Sequence, residues 1–185
     1  LADMSLVDSL ESCKVERVWK SGKLVATNGI LCQRFERKFD AGPAMSTQTG
    51  PVDSIRVGAP SRNPQIRLIG WKKGSLLTDS LTATAKVESG AIVADPAKDI
   101  VKLAVQERNR NTGRTVVGFV KGLGLRRGAL GASVAHDAHP FIVAGADDAS
   151  MLTALKWLRE QGGGQVACEG SRILACLPLA AAGLM

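Results

Sequence analysis

Short apolar runs broken by turn residues, with a single convincing helical stretch, predict an α+β fold. In that reading a small all-β block precedes an α+β domain with mostly β strands and few helices. Three observations carry it. Apolar runs of four to seven residues recur between Gly, Asn, Asp and Pro along the chain. Helical spacing of apolar residues stands out once, over residues 147–161. Between the blocks, residues 41–64 gather Gly42, Pro43, Gly50, Pro51, Gly58, Pro60 and Pro64, the composition of a linker or long loop. The expected division is therefore β strands in 1–40, a linker in 41–64 and an α+β domain in 65–185.

The elements follow in order. Met4-Ser5-Leu6-Val7 is a short apolar strand, and Val15, Val18 and Trp19 mark a half-buried one. Ser21-Gly22 turns the chain into Lys23-Leu24-Val25-Ala26, and Asn28-Gly29 is a second turn signal. This block is too short to close a core alone. In the second block, Ile66-Arg67-Leu68-Ile69-Gly70 is a strand, residues 76–87 carry β-branched residues for another, and Ala91-Ile92-Val93-Ala94 is short and apolar. Asp95-Pro96 has the look of a helix start, but Ile100-Val101-Lys102-Leu103-Ala104-Val105 is β-rich, so a turn followed by a strand is expected. Residues 115–120 form the next strand, and Phe141-Ile142-Val143-Ala144-Gly145 is a buried one. Over 147–161, Met151, Leu152, Leu155 and Leu158 share a helix face. The acidic first turn suits the helix dipole, and Gly162-Gly163-Gly164 stops the helix. A hairpin through Glu169-Gly170 completes the chain.

Composition narrows the function classes. The 185 residues are 45% hydrophobic and 22% charged, which is core-forming material and excludes disorder as the main state. The longest apolar runs, such as 174–185, fall short of the ~18 to 20 residues a membrane helix needs. The net charge of +7 favours anions in general. Only 4% aromatics and no Tyr leave little to stack nucleic-acid bases, which argues against that partner. Cys13, Cys32, Cys168 and Cys176 show no C-x-x-C spacing. They are read as small core residues in a reducing, cytoplasmic compartment, with Cys168 and Cys176 facing each other or a neighbour across the last hairpin.

One segment carries groups suited to chemistry. Both histidines fall in Ser133-Val134-Ala135-His136-Asp137-Ala138-His139-Pro140. His136, Asp137 and His139 can bind a metal or move protons near neutral pH, and they lie on a loop at a strand edge. Pro140 biases His139 toward extended backbone. In an extended strand His136 and His139 point apart, so a turn at Asp137-Ala138 is needed to converge them. An Asx turn carrying surface histidines is the competing reading. Gly118, Gly122, Gly124, Gly128 and Gly131 match no phosphate-cradling spacing and are assigned to turns and close packing. Glu107-Arg108 is expected to form a local surface ion pair.

Several of these segments, in this order, resemble the C-terminal region of bacterial adenine deaminases. They are Asp95-Pro96-x-x-Asp99-Ile100, Glu107-Arg108, Thr112-Gly113-Arg114, and Gly118-Phe119-Val120-Lys121-Gly122-Leu123-Gly124-Leu125. Gly128-Ala129-Leu130, the segment around His136 and His139, Ile142-Val143-Ala144-Gly145, Gly162-Gly163-Gly164, Leu177-Pro178-Leu179 and Ala182-Gly183-Leu184-Met185 continue the pattern. The first block, with Ala2-Asp3-Met4-x-Leu6-Val7-Asp8 and Val15-Glu16-Arg17-Val18-Trp19-Lys20, looks like the strands that follow the barrel in the amidohydrolase superfamily. The resemblance implies a metal-dependent hydrolase that converts adenine and water to hypoxanthine and ammonia. Its Mn²⁺ or Fe²⁺ ions would lie in a TIM-like barrel absent from these 185 residues.

The implied partners are that barrel, on the same polypeptide, and further copies in a homo-oligomer. No metal is expected on this chain, which would be inactive alone. Family members run on past the point matching Met185. The family's loop usually reads V-A-H-D-S-H-N, and Ala138 and Pro140 here replace a Ser and an Asn, removing two polar groups. In an enzyme of this kind His136, Asp137 and His139 are expected to approach the active-site mouth or a subunit contact, a role inferred for the loop and not given by the resemblance itself. A stand-alone, non-catalytic binding or structural module derived from the same domain is the alternative.

Overall fold

The computed structural model describes residues 2–32, 54–109, 112–136 and 138–184. The chain divides into two compact units, Leu1–Gly42 and Pro43–Met185.

In the first unit, strands β1 (Met4–Val7), β2 (Val15–Lys20), β3 (Lys23–Thr27) and β4 (Ile30–Leu31) form an antiparallel sheet in sequential order. Its tight turns follow from local chemistry. Ser21-Gly22 and Asn28-Gly29 all take positive φ, the conformation a two-residue hairpin requires. Val25 is buried, whereas Met4, Leu6, Val15, Leu24, Ile30 and Leu31 are exposed. Val7, Val18, Trp19 and Ala26 are half-buried.

The second unit is α+β. Its main sheet has eight strands: β6 (Gln65–Gly70), β7 (Asp79–Thr84), β10 (Ile100–Gln106), β11 (Thr115–Lys121), β12 (Ala129–Ala132), β13 (Phe141–Gly145), β14 (Gly164–Glu169) and β15 (Arg172–Pro178). They lie in the order β15-β14-β12-β13-β10-β11-β6-β7, and all neighbours are antiparallel except β11 and β6. A second, three-stranded sheet joins β5 (Val57–Gly58), β9 (Ala91–Val93) and β8 (Lys86–Glu88). Asp95-Pro96 starts one turn of 3₁₀ helix, Pro96–Lys98, which Asp99 ends in the left-handed conformation before β10 begins. The expected turn and strand are both present.

Helix α1 (Asp148–Glu160) is the unit's long helix. Asp147 caps it, its carboxylate accepting from the Ser150 N–H at 2.8 Å. Met151, Ala154, Leu155 and Leu158 pack on Ala104, Ala129, Phe141, Val143, Val166 and Cys168. Burying each large member of that face contributes about 1.5–3 kcal/mol relative to exposure. The close approach depends on Gly145, where a Cβ would sit 2.2 Å from Met151 Cγ. A second core joins Leu68, Ala85, Ile92, Ile100 and Phe119 beneath the small sheet. Lys102, fully buried on β10, donates to Asp148 Oδ1 at 2.6 Å and to the Ile55 carbonyl at 3.3 Å.

The expectation that all four cysteines are core residues changes. Cys168 is buried, but Cys13, Cys32 and Cys176 are exposed. Across the last hairpin each of the two faces a neighbour and not the other: Cys176 pairs with Val166, and Cys168 pairs with Ile173 beyond a register shift after Ala167. Cys176 is exposed because β15 is an edge strand with a neighbour on one side only.

Candidate functional site

β10 ends at Gln106, and Arg108 turns back beneath the ends of three other segments. Although charged, Arg108 is only 2% exposed. Its Nε donates to the His139 carbonyl at 2.6 Å, one terminal nitrogen to the Gly162 carbonyl at 3.2 Å, and the other to the Ala182 carbonyl at 2.6 Å. The guanidinium carbon lies 5.5 Å from the centre of the Phe141 ring. Burial pulls the guanidinium below its ordinary pKa. Three carbonyl dipoles and an aromatic face replace the water it has lost, and hydrogen bonds from a charged donor contribute about 1.5–3 kcal/mol each. Its neighbour Glu107 accepts instead from Thr112 Oγ1 at 2.9 Å and the Thr112 N–H at 3.2 Å, which braces the connection to β11.

Ser133, just past β12, is fully buried beside this arginine. Its N–H donates to the Gly164 carbonyl at 3.0 Å. Its Oγ accepts from the Gly164 N–H at 2.7 Å and donates to the Gly183 carbonyl at 2.5 Å. The segments meet so closely that side chains have no room. A Cβ on Gly163 would lie 2.5 Å from Gly183 Cα, and one on Gly183 would lie 2.5 Å from an Arg108 nitrogen. Both glycines also take positive φ. The triple glycine after α1 therefore does more than stop the helix. It lets the turn at 180–184 pack against the start of β14.

The histidine segment borders this junction. His136 is exposed, and His139 is half-buried in a turn. His139 adopts φ +44°, not the extended backbone expected ahead of Pro140. The His139 N–H donates to the Ala135 carbonyl at 2.9 Å, and the Ala135 N–H donates to His139 Nδ1 at 3.4 Å. Asn109 Nδ2 donates to the Ala138 carbonyl at 2.8 Å, beside the Arg108 bond to the His139 carbonyl. These four bonds hold a conformation that Pro140 disfavours. Asp137 lies outside the described residues. Among the described residues, no three His, Cys, Asp or Glu side chains are grouped to hold a metal ion. No helix there is long and apolar enough to cross a membrane.

Sequence reasoning found His136 and His139 but missed Arg108 as an organiser, as well as Ser133, Gly163 and Gly183. Two signals were available. A cation two residues past a seven-residue strand that is mostly apolar and buried has to find partners near the core. Three consecutive glycines exceed the one that a helix end needs.

A β-rich α+β unit whose described residues lay one α-helix on a mainly antiparallel sheet, closed by an arginine that ties three loops, is the class of module that the fold defines. Residues 75–185 match the family model described as the adenine deaminase C-terminal domain, and the chain belongs to this family. Over 185 residues it is 40% identical to an adenine deaminase of Nitratidesulfovibrio vulgaris (strain DP4) and 41% identical to one of Oleidesulfovibrio alaskensis. It is 38% identical to an adenine deaminase of Methanothrix thermoacetophila. Each alignment covers all of this chain but only 31–32% of the relative. The chain thus spans about a third of the length of these curated relatives.

Proposed function

We propose that this chain works as the C-terminal portion of an adenine deaminase-like, metal-dependent hydrolase, in which adenine and water become hypoxanthine and ammonia. The observation that carries this reading is the match of the entire chain, at about 40% identity, to one third of proteins named adenine deaminase. Mn²⁺ or Fe²⁺, the metal the resemblance implies, does not fit the described residues, which group no ligand set. In this reading the metal belongs to the remaining two thirds of such a protein, in a barrel on the same polypeptide. The setting is cytoplasmic purine metabolism, and the assembly is a homo-oligomer.

The role left to this chain is positional. Arg108 and Ser133 make a rigid junction, and the turn bearing His136 and His139 projects from it toward the active-site mouth. The histidines offer hydrogen-bonding groups there without a metal of their own.

The test begins with the native polypeptide, isolated from its source cells with an antibody to this chain. Its size is measured, followed by ammonia release from adenine with Mn²⁺. A product longer by roughly the ~250 residues of a barrel, and active on adenine, is expected. The 185-residue chain alone should release none. In the active polypeptide, His136→Ala or His139→Ala should lower turnover. A native product of about 185 residues with no deaminase activity overturns this reading and leaves a stand-alone binding or structural module.

A further inference from the structure

The junction around Arg108 does more than hold loops together, because its bonds reach the chemistry of one side chain. A neutral imidazole carries its proton on one nitrogen and accepts on the other, and the partner of one nitrogen decides the state of both. At His139 the Ala135 N–H is aimed at Nδ1. A backbone N–H cannot accept a proton, so Nδ1 is the acceptor and the neutral ring carries its proton on Nε2. This pairing exists only while the backbone at His139 stays at φ +44°. An extended residue before proline would swing the ring away from its own N-terminal neighbour. Arg108 Nε at 2.6 Å from the His139 carbonyl and Asn109 Nδ2 at 2.8 Å from the Ala138 carbonyl hold the turn from behind. Arg108 is itself immobilised by the Gly162 and Ala182 carbonyls and by the Phe141 ring.

We propose that Arg108 is a positioning residue that fixes the tautomer of His139, so that the turn presents an Nε2–H donor. The group it suits is a neutral hydrogen-bond acceptor, such as a ring nitrogen of an unprotonated purine. Arg108 touches no substrate itself. It acts through the His139 carbonyl, the backbone conformation and the Ala135 N–H in turn. The tautomer assignment stands on the geometry of this chain, whereas the identity of the acceptor rests on the proposed adenine reaction.

The experiment reads the two parts separately. Two-bond ¹H–¹⁵N spectra of the imidazoles report the tautomer of each histidine, and His136→Gln assigns the two signals. Above the pH at which the ring is neutral, wild-type His139 should be almost entirely the Nε2–H form. Arg108→Lys keeps the charge but cannot span three carbonyls, and it should give a mixture of tautomers. Asn109→Ala, an exposed change outside the core, should shift the mixture in the same direction to a smaller extent, and it serves if Arg108→Lys does not fold. A mixed tautomer in the wild type overturns the proposal. So does a His139 signal unmoved by either substitution in folded protein.

In the adenine-deaminating polypeptide, Arg108→Lys should lower kcat/KM on the order of 10-fold. Its effect should disappear when His139 is already alanine. Tautomers that shift without any change in deamination would uphold Arg108 as the positioning residue and refute His139 as a contact for the purine.

Discussion

Replacing Ser133 with alanine isolates the junction on which the candidate site is built. The hydroxyl is fully buried, accepts from the Gly164 N–H at 2.7 Å and donates to the Gly183 carbonyl at 2.5 Å. Alanine takes away both bonds while leaving almost the same volume. The Gly164 N–H then faces a closed space against Gly183 and the Arg108 guanidinium, with no acceptor in place of Oγ. A buried donor left unpaired costs about 1–3 kcal/mol, and the lost bond to Gly183 adds about 1 kcal/mol. Together they give about 2–4 kcal/mol, which for a unit of this size lowers Tm by roughly 10 °C. The assay is urea and thermal denaturation of the variant beside Val134→Ala. That neighbouring side chain is exposed, and its loss should shift stability by no more than about 0.5 kcal/mol. The urea midpoint should fall with the slope unchanged, because the surface exposed on unfolding is the same. If Ser133→Ala matches Val134→Ala within error, the hydroxyl does not tie the turn at 180–184 to β14, and the account of the junction fails.

Three further outcomes follow from the structure. Asp148→Ala, which strands the buried Lys102 cation, should destabilise by about 3 kcal/mol, whereas Lys102→Met should change stability by less than about 1 kcal/mol, as paired denaturation curves would show. Burial, followed by the Asp147 carboxylate, raises the Cys168 thiol above its ordinary pKa, so a thiol reagent near neutral pH should modify Cys13, Cys32 and Cys176 in the native state and reach Cys168 only on unfolding. In the first unit, the hydrogen bond from Lys20 and that from the Ser21 N–H hold the Asp3 carboxyl below its ordinary value. Its contribution is therefore full above the unfolded value and fades as pH falls through the folded one. The acid unfolding of the block, followed from about pH 5 to pH 2, should be less steep in Asp3→Asn.

Much of the secondary structure was legible because its signals are local. The α1 face is written in Met151, Leu155 and Leu158 at helical spacing, and the Asp147 cap stands directly before it. The turns at Ser21-Gly22 and Asn28-Gly29 need positive φ, and those residue types accept it readily. Phe141 to Gly145 read as buried since five apolar or small residues in a row leave nothing to face water. The thiols were misread because burial depends on neighbours: Cys176 lies on the sheet's edge strand, a position no local pattern reveals. His139 was expected in an extended backbone from Pro140 alone. Hydrogen bonds donated by Arg108, Asn109 and Ala135, with a fourth from the His139 N–H to the Ala135 carbonyl, outweigh that preference, and two of the donors come from a segment about 30 residues away.

By itself the sequence determined the α+β class, the single long helix, most strand positions and the resemblance to adenine deaminase C-terminal regions, since each rests on neighbouring residues or on an ordered set of motifs. Tertiary structure decided the order of the eight strands, the pairing of Lys102 with Asp148 and the convergence of residues 139, 162 and 182 on one guanidinium. These depend on contacts between residues dozens of positions apart. A chain's local preferences carry no record of which distant carbonyl will lie within 3 Å of a buried charge once the sheet has closed.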